Sequence, residues 1–245
     1  MKTIALYNSK GGVGKTSSAV NLAYLAAASG ARTLLWDLDV QGSASFYFKV
    51  QPELKGGARR LLDGKAKRSK VVKHTEFTNL DLLPADESER NLDIMLDDMK
   101  KSRSRLASVL ELVGKKYDYV FIDCPPGIGL IAENVFRATD VLLMPLIPTH
   151  LSLRSYEQVT SFIDDLSSRA PTLLCFFSMV DRRKRVHKDI LAEYRSNPVF
   201  LSSYVPYASD VERMGERMKP VPVFARRSKA AQLLDQLWNE VEDRV

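Results

Sequence analysis

Tyr7-Asn8-Ser9-Lys10-Gly11-Gly12-Val13-Gly14-Lys15-Thr16 closes a short apolar run, Thr3–Tyr7, and opens a segment of helical period, Lys15–Ser29. A strand that feeds a glycine-rich turn and then a helix is the context a phosphate-binding loop requires. Glycines let the backbone turn sharply and bring several N–H groups onto phosphate oxygens, and the following helix adds the positive end of its dipole. In such a loop Lys15 reaches the β- and γ-phosphates and the Thr16 hydroxyl ligates Mg²⁺. The expected nucleotide set is therefore Lys10, Gly11, Gly12, Val13, Gly14, Lys15, Thr16 and Ser17, with ATP and Mg²⁺ as cofactors. The strict pattern asks for glycine where Ser9 stands, and a second lysine, Lys10, follows it instead. That lysine can act on its own nucleotide or reach one held by a partner subunit.

Outward from the loop, short runs rich in β-branched residues alternate with longer segments of helical period. The expected strands are Thr3–Tyr7, Thr33–Trp36, Leu80–Leu83, Tyr119–Ile122, Val141–Leu146, Leu173–Met179 and Phe200–Val205. Most are continuously hydrophobic, as strands covered on both faces are. The expected helices are Lys15–Ser29, Ser102–Lys115, Leu130–Ala138, Ser152–Ser168, Val186–Ser196 and Ser228–Asp243, with Leu92–Met99 on the outer face. This order predicts an α/β fold, a doubly wound and mainly parallel sheet flanked by helices, with right-handed crossovers. Residues 1–245 read as one domain. The segment Gly56–Lys73, with Gly56-Gly57 and many Lys and Arg, reads as an exposed insertion on the sheet edge.

The chain of 245 residues is 45% hydrophobic, which suits a sizeable core and excludes a disordered chain. Cys124 and Cys175 lie far apart and form no disulfide framework, so a reduced, cytoplasmic setting is expected. No apolar run approaches the roughly 18–20 residues of a membrane span, and no transmembrane segment is expected. The formal net charge of +6 permits a polyanionic partner without demanding one.

Three motifs together carry a family resemblance. Lys10-Gly11-Gly12-Val13-Gly14-Lys15-Thr16 resembles the deviant Walker motif of the ParA/MinD family of P-loop ATPases, of SIMIBI type. Asp37-Leu38-Asp39-Val40-Gln41-Gly42-Ser43 resembles that family's Asp-x-Asp-Pro-Gln-Gly segment, with Val40 in place of proline. Phe121-Ile122-Asp123-Cys124-Pro125-Pro126-Gly127 resembles its Walker B and second switch. Ser178-Met179-Val180-Asp181-Arg182-Arg183 and Val205-Pro206-Tyr207 look like its nucleotide-base region, so the likeness spans nearly the whole chain. The resemblance implies that Asp39 orients the attacking water and helps hold the magnesium shell, and that Asp123 contacts Mg²⁺ through water. The metal set is then Thr16, Asp39 and Asp123, and the catalytic set Lys10, Lys15 and Asp39. An acid at a strand end can also cap a helix or begin a turn, and Asp37 reads equally well that way. Met179 and Pro206 are implied base contacts, although Met179 also reads as core filling and Pro206 as a strand terminator.

The resemblance further implies a slow ATP hydrolase, stimulated by a partner, that forms a homodimer with ATP through Lys10. Three outputs stand open at this point. One is a DNA-bound positioning ATPase, associated with the nucleoid, that segregates plasmid, chromosome or protein cargo with a ParB-like or equivalent activating partner. The others are a membrane-associated regulator of the MinD kind and a metabolic enzyme of the same superfamily. The C-terminal stretch Leu233–Val245 carries more acid than base, which argues against anionic lipid. Arg182-Arg183-Lys184-Arg185-Val186-His187-Lys188 places five Lys or Arg in seven positions with no acid, which favours nonspecific DNA. The expected DNA contacts are Arg182, Arg183, Arg185, Arg213, Arg217, Lys219, Arg226 and Arg227. No helix-turn-helix precedes the first strand, so the short form of partition ATPase is expected.

Overall fold

The computed structural model describes residues 1–166 and 170–245. Its strands are β1 (Lys2–Leu6), β2 (Thr33–Asp37), β3 (Lys73–His74), β4 (Leu80–Leu83), β5 (Tyr119–Asp123), β6 (Val141–Leu146), β7 (Thr172–Val180) and β8 (Phe200–Pro206). They form one sheet in the order β3-β4-β2-β5-β1-β6-β7-β8. Every pairing is parallel except that of β3 with β4. The expected doubly wound α/β sheet is what the chain forms.

Residues of β1 are buried on both faces, and the two faces feed different cores. Ala5 joins a layer with Trp36 of β2 and with Val109, Val135 and Val159, from helices Arg105–Val113, Leu130–Ala138 and His150–Asp164. Ile4 and Leu6 join the opposite layer with Leu22, Ala23, Leu234 and Trp238, from helices Lys15–Ala28 and Lys229–Glu242. Two-sided covering explains the unbroken apolar runs of the inner strands. The C-terminal helix contributes Leu234, Leu237, Trp238 and Val241 to this core. Its Trp238 ring meets Tyr119 edge-on at 5.1 Å. No helix among the described residues is long and apolar enough to cross a membrane.

Pairing of β7 with edge strand β8 slips, with Cys175 opposite Phe200 but Phe177 opposite Tyr204. The amides of Ser202 and Ser203, inside that slip, donate to the Glu240 carboxylate at 2.7 and 2.8 Å.

Two expectations need correction. Gly56–Lys73 is exposed only in part: it forms helices Gly57–Leu62 and Arg68–Val71 and buries Ala58, Leu61, Leu62, Ala66 and Val71. The apolar positions recur at helical spacing, but the charges between them hide the pattern. The sheet edge does lie here, since β3 follows at once. Ser102–Lys115 is not one helix but the α-helix Arg105–Val113 between two short 3₁₀ turns. Its start is set from outside, because the Asn134 carboxamide oxygen accepts from Arg105 N at 3.0 Å. Of the expected helix Ser152–Ser168, the structure gives His150–Asp164, and Ser167 and Ser168 lie outside the described residues.

Candidate active site

Sheet order brings the C-terminal ends of β1, β5 and β2 side by side, with Leu6 opposite Asp123 and Asp123 opposite Asp37. Adjacent strands lie about 4.8 Å apart, so the loop leaving β1 and both carboxylates share one rim. Chain order reverses around β1, and open α/β sheets take their ligands at such a switch point.

The loop after β1 turns through Gly12 at φ 70° and Gly14 at φ 90°, a left-handed region where a side chain is strained. Gly14 caps helix Lys15–Ala28 with no side-chain bond to its first amides. The turn is braced from β6, β7 and the loop after β5. Asn8 Nδ2 donates to Pro145 O at 2.8 Å while its Oδ1 accepts from Lys10 N at 2.9 Å. Gly127 N donates to Ser9 O at 3.0 Å, and Ser178 Oγ to Val13 O at 2.6 Å. Lys15 is 6% exposed, and its ammonium folds back to donate to Lys10 O at 2.9 Å. Burial lowers its pKa, while Asp123, Cys124 and Asp39 pull it up. Lys10 points the other way and donates to Leu151 O, at the start of helix His150–Asp164.

Asp123 is 0% exposed, and neither of its carboxylate oxygens has a hydrogen-bond partner. Burial pushes its pKa well above the usual carboxylate range, and the charge of Asp37 adds to the shift; Thr16 and Lys15 pull it down. Asp37, also buried, is raised to about 6, chiefly by burial and against two bonds from Ser45, whose N and Oγ both donate at 2.7 Å. Those bonds tie Asp37 to helix Ser43–Tyr47, the capping role that the sequence left open. Asp39 is half-buried and accepts from Gln41 N at 3.0 Å.

A cleft of about 300 Å³ collects Lys15, Thr16, Ser17, Asp39, Pro126 and Met179 on this rim. Thr16 and Asp39 bring oxygens to it, and the buried Asp123 carboxylate, within reach of the Thr16 hydroxyl, suits a hard cation. Mg²⁺ binds through one or two carboxylates and leaves its other positions to water and phosphate, so this donor set fits it. Among the described residues no cluster of three or more His, Cys, Asp and Glu forms a protein-only metal cage.

A family model described as an AAA domain matches residues 1–174. Soj of Bacillus subtilis (strain 168), a sporulation initiation inhibitor protein, is 29% identical over 248 residues, spanning 98% of each chain. The chromosome partitioning protein ParA of Caulobacter vibrioides (strain NA1000) is 30% identical over 255 residues, covering 100% of this chain and 95% of its own. The chain belongs to the ParA/MinD family. Solved structures agree on the fold. A Borrelia burgdorferi B31 chain assigned to plasmid partition and bound to AMPPNP superposes with a TM-score of 0.87 at 22% identity, covering 100% of this chain and 99% of that one. A cobyrinic acid a,c-diamide synthase of Mycobacterium smegmatis with ADP and magnesium gives 0.83 at 24% identity, covering 99% and 94%.

Within this ParA/MinD chain, Met179 and Pro206 come together although far apart in sequence. Both line a second cleft of about 80 Å³ that shares Gly14, Ser17 and Met179 with the first and adds Tyr207 and Val211. Met179 stands there at φ 52°, a left-handed conformation unusual for a bulky side chain. Pro126, part of the Phe121–Gly127 motif, and Tyr47, outside every motif quoted above, also line the first cleft, although neither stands among the expected site residues. A larger cavity, of about 530 Å³, lies between β7, β8 and helix Arg185–Glu193 and contains no residue of the phosphate loop. Size alone therefore points away from the motif.

The basic residues singled out for DNA are almost all exposed, yet five of the eight face acids. Arg183 forms a two-pronged pair with Asp181 at 2.9 Å on both prongs. Arg185 lies 3.7 Å from Asp189, Arg213 3.8 Å from Asp210 and Glu216, Arg217 3.6 Å from Glu216, and Lys219 3.7 Å from Glu76. Arg182, Arg226 and Arg227 have no ion-pair partner among the described residues.

Proposed function

We propose that this chain is a ParA-type ATPase that dimerises on ATP, binds nonspecific DNA in that state, and positions or segregates a cargo until hydrolysis releases it. The observation that carries the reading is the fully buried Asp123 carboxylate, offset by Thr16 and Lys15, at the foot of a phosphate loop with two lysines. The Soj and ParA relatives, named for sporulation control and chromosome partitioning, support the cargo-moving output.

Glycine-loop amides and Lys15 would hold the nucleotide phosphates, and Thr16, Asp39 and Asp123 would hold Mg²⁺ directly or through water. When bound, the metal supplies charge neutralisation for phosphoryl transfer. Asp39, at the cleft mouth, would orient the attacking water. Lys10 donates away from its own cleft, to Leu151 O, which supports a role toward a nucleotide held by a second copy. ATP touching both copies would favour the dimer because those contacts exist only there. Met179 and Pro206 would flank the base. The chain would work on the nucleoid as a single domain, slowly, until an activating partner of ParB type completes the site.

Duplex DNA of random sequence, titrated with no nucleotide, ADP and ATP across a salt series, tests this reading. The expected result is binding with ATP alone, falling steeply with salt. Equal binding in all three states would sink it.

A further inference from the structure

Residues 55–73 hold eight Lys or Arg against one acid, Asp63. Lys65 pairs with that acid at 3.1 Å, and Arg68 lies over the Tyr117 ring at 5.9 Å. Others remain unspent. Lys55, Arg60, Lys67 and Lys70 are exposed, have no ion-pair partner among the described residues, and line one concavity of about 400 Å³. Its remaining wall is Gly56 and Ala66.

The concavity is built by the backbone. Gly56 turns at φ 94°, and a Cβ placed there would sit 2.6 Å from Arg60 Cδ. The arginine stem therefore lies flat on the glycine, at the wall of the hollow. Buried Ala58, Leu61 and Leu62 fix the helix that carries it. The segment is also tied to the body, since Leu54 N donates to Asp86 Oδ2 at 2.6 Å and Ala58 N to Ser88 Oγ at 2.8 Å.

We infer that this hollow, at the β3–β4 edge of the sheet, is a phosphate-contacting surface for duplex DNA. The inference rests on the proposed DNA-binding reading and relocates much of its contact surface. A cation that faces an acid must exchange one partner for another, which weakens its net contribution; of the eight residues expected from sequence, Arg183 is hydrogen-bonded to an acid and four more lie 3.6–3.8 Å from one. The four around the hollow have no such partner among the described residues. A peptide needs buried apolar or aromatic anchors for affinity, and the wall offers only Gly56 and Ala66. A phosphate backbone asks for charge alone.

The test uses the full chain with ATP and a labelled 30-base-pair duplex of random sequence, read by anisotropy from low to high salt. Arg60→Ala/Lys67→Ala/Lys70→Ala should weaken binding roughly 10²-fold near 0.1 M salt and flatten the slope of log K against log salt by about 2–3. The charge-keeping variant Arg60→Lys/Lys67→Arg/Lys70→Arg should bind as wild type does. Arg183→Ala/Arg213→Ala/Arg217→Ala should lose less than the first variant. Unchanged affinity and slope in the first variant, with wild type binding DNA, would overturn the inference and leave the DNA reading intact. So would a poly-glutamate peptide whose binding, unlike that of DNA, depends on these three residues. Absence of DNA binding by wild type in every nucleotide state would sink both.

Discussion

Asp123→Asn should make the nucleotide-free protein more stable while removing its response to magnesium. The carboxylate is 0% exposed and neither oxygen meets a hydrogen-bond partner, so holding it ionised in the folded state is costly, and Thr16 and Lys15 offset only part of that cost. A buried polar group left without a hydrogen bond costs about 1–3 kcal/mol, and more when charged. The amide keeps the shape, drops the charge, and offers a donor beside Asp37, whose Oδ1 is also unpartnered. A gain of about 1–2 kcal/mol at pH 8 follows, or roughly 2–8 °C in Tm for a chain of this size. The pH dependence gives the signature. A carboxyl whose pKa is raised on folding binds more protons folded than unfolded, so stability falls as pH rises between the two values. Asp123 is raised well above the carboxylate range and Asp37 to about 6. The advantage of the variant should therefore shrink steadily from pH 8 toward pH 5. Thermal unfolding by circular dichroism across that range reads it, and a repeat with ADP with and without Mg²⁺ reads the second half: wild type gains a magnesium-dependent increment that the variant lacks. A variant less stable than wild type at pH 8, or a gain independent of pH, would refute the reasoning.

Other outcomes follow from the same geometry. Lys15→Ala should abolish nucleotide binding in calorimetry, because the ammonium that folds over the loop is the buried cation of the cleft; retained tight binding would contradict the loop assignment. Asp39→Ala should bind ATP normally and lose about 10²-fold or more in phosphate release; an unchanged rate would remove Asp39 from the chemistry. Trp238→Ala should cost about 3–5 kcal/mol by denaturant unfolding, as it empties a site 2% exposed between the sheet and the C-terminal helix.

The parts of the structure legible in the sequence are those set by local pattern. Val141–Leu146 reads as a strand because both its faces are covered, and the phosphate loop reads because strand, turn and helix are contiguous. What was hidden depends on distant residues. The break in Ser102–Lys115 is set by Asn134, and the helix Gly57–Leu62 is masked by arginines on its solvent side. In the site, Asp37 and Asp123 are named by motif, but their register as neighbours comes from strand order. Lys10 is visible as a second lysine, and its hold on Leu151 O, 141 positions away, is visible only in the fold. The basic run at Arg182–Lys188 shows in the sequence, whereas the acids that face it do not.

Glu240 has a further consequence. An exposed strand edge is a template on which another chain can pair. Here β8, at one margin of the sheet, is slipped out of ladder geometry, and the two amides inside the slip are taken by a carboxylate from the C-terminal helix. The opposite margin, β3, is two residues long and ends in His74, whose ring is hydrogen-bonded to Asp81. Both margins are thus poor docking rails, and copies of this protein meet little invitation to stack sheet to sheet. Assembly is steered toward loops and helix faces, and fibrous growth through β8 would first have to evict a bound carboxylate.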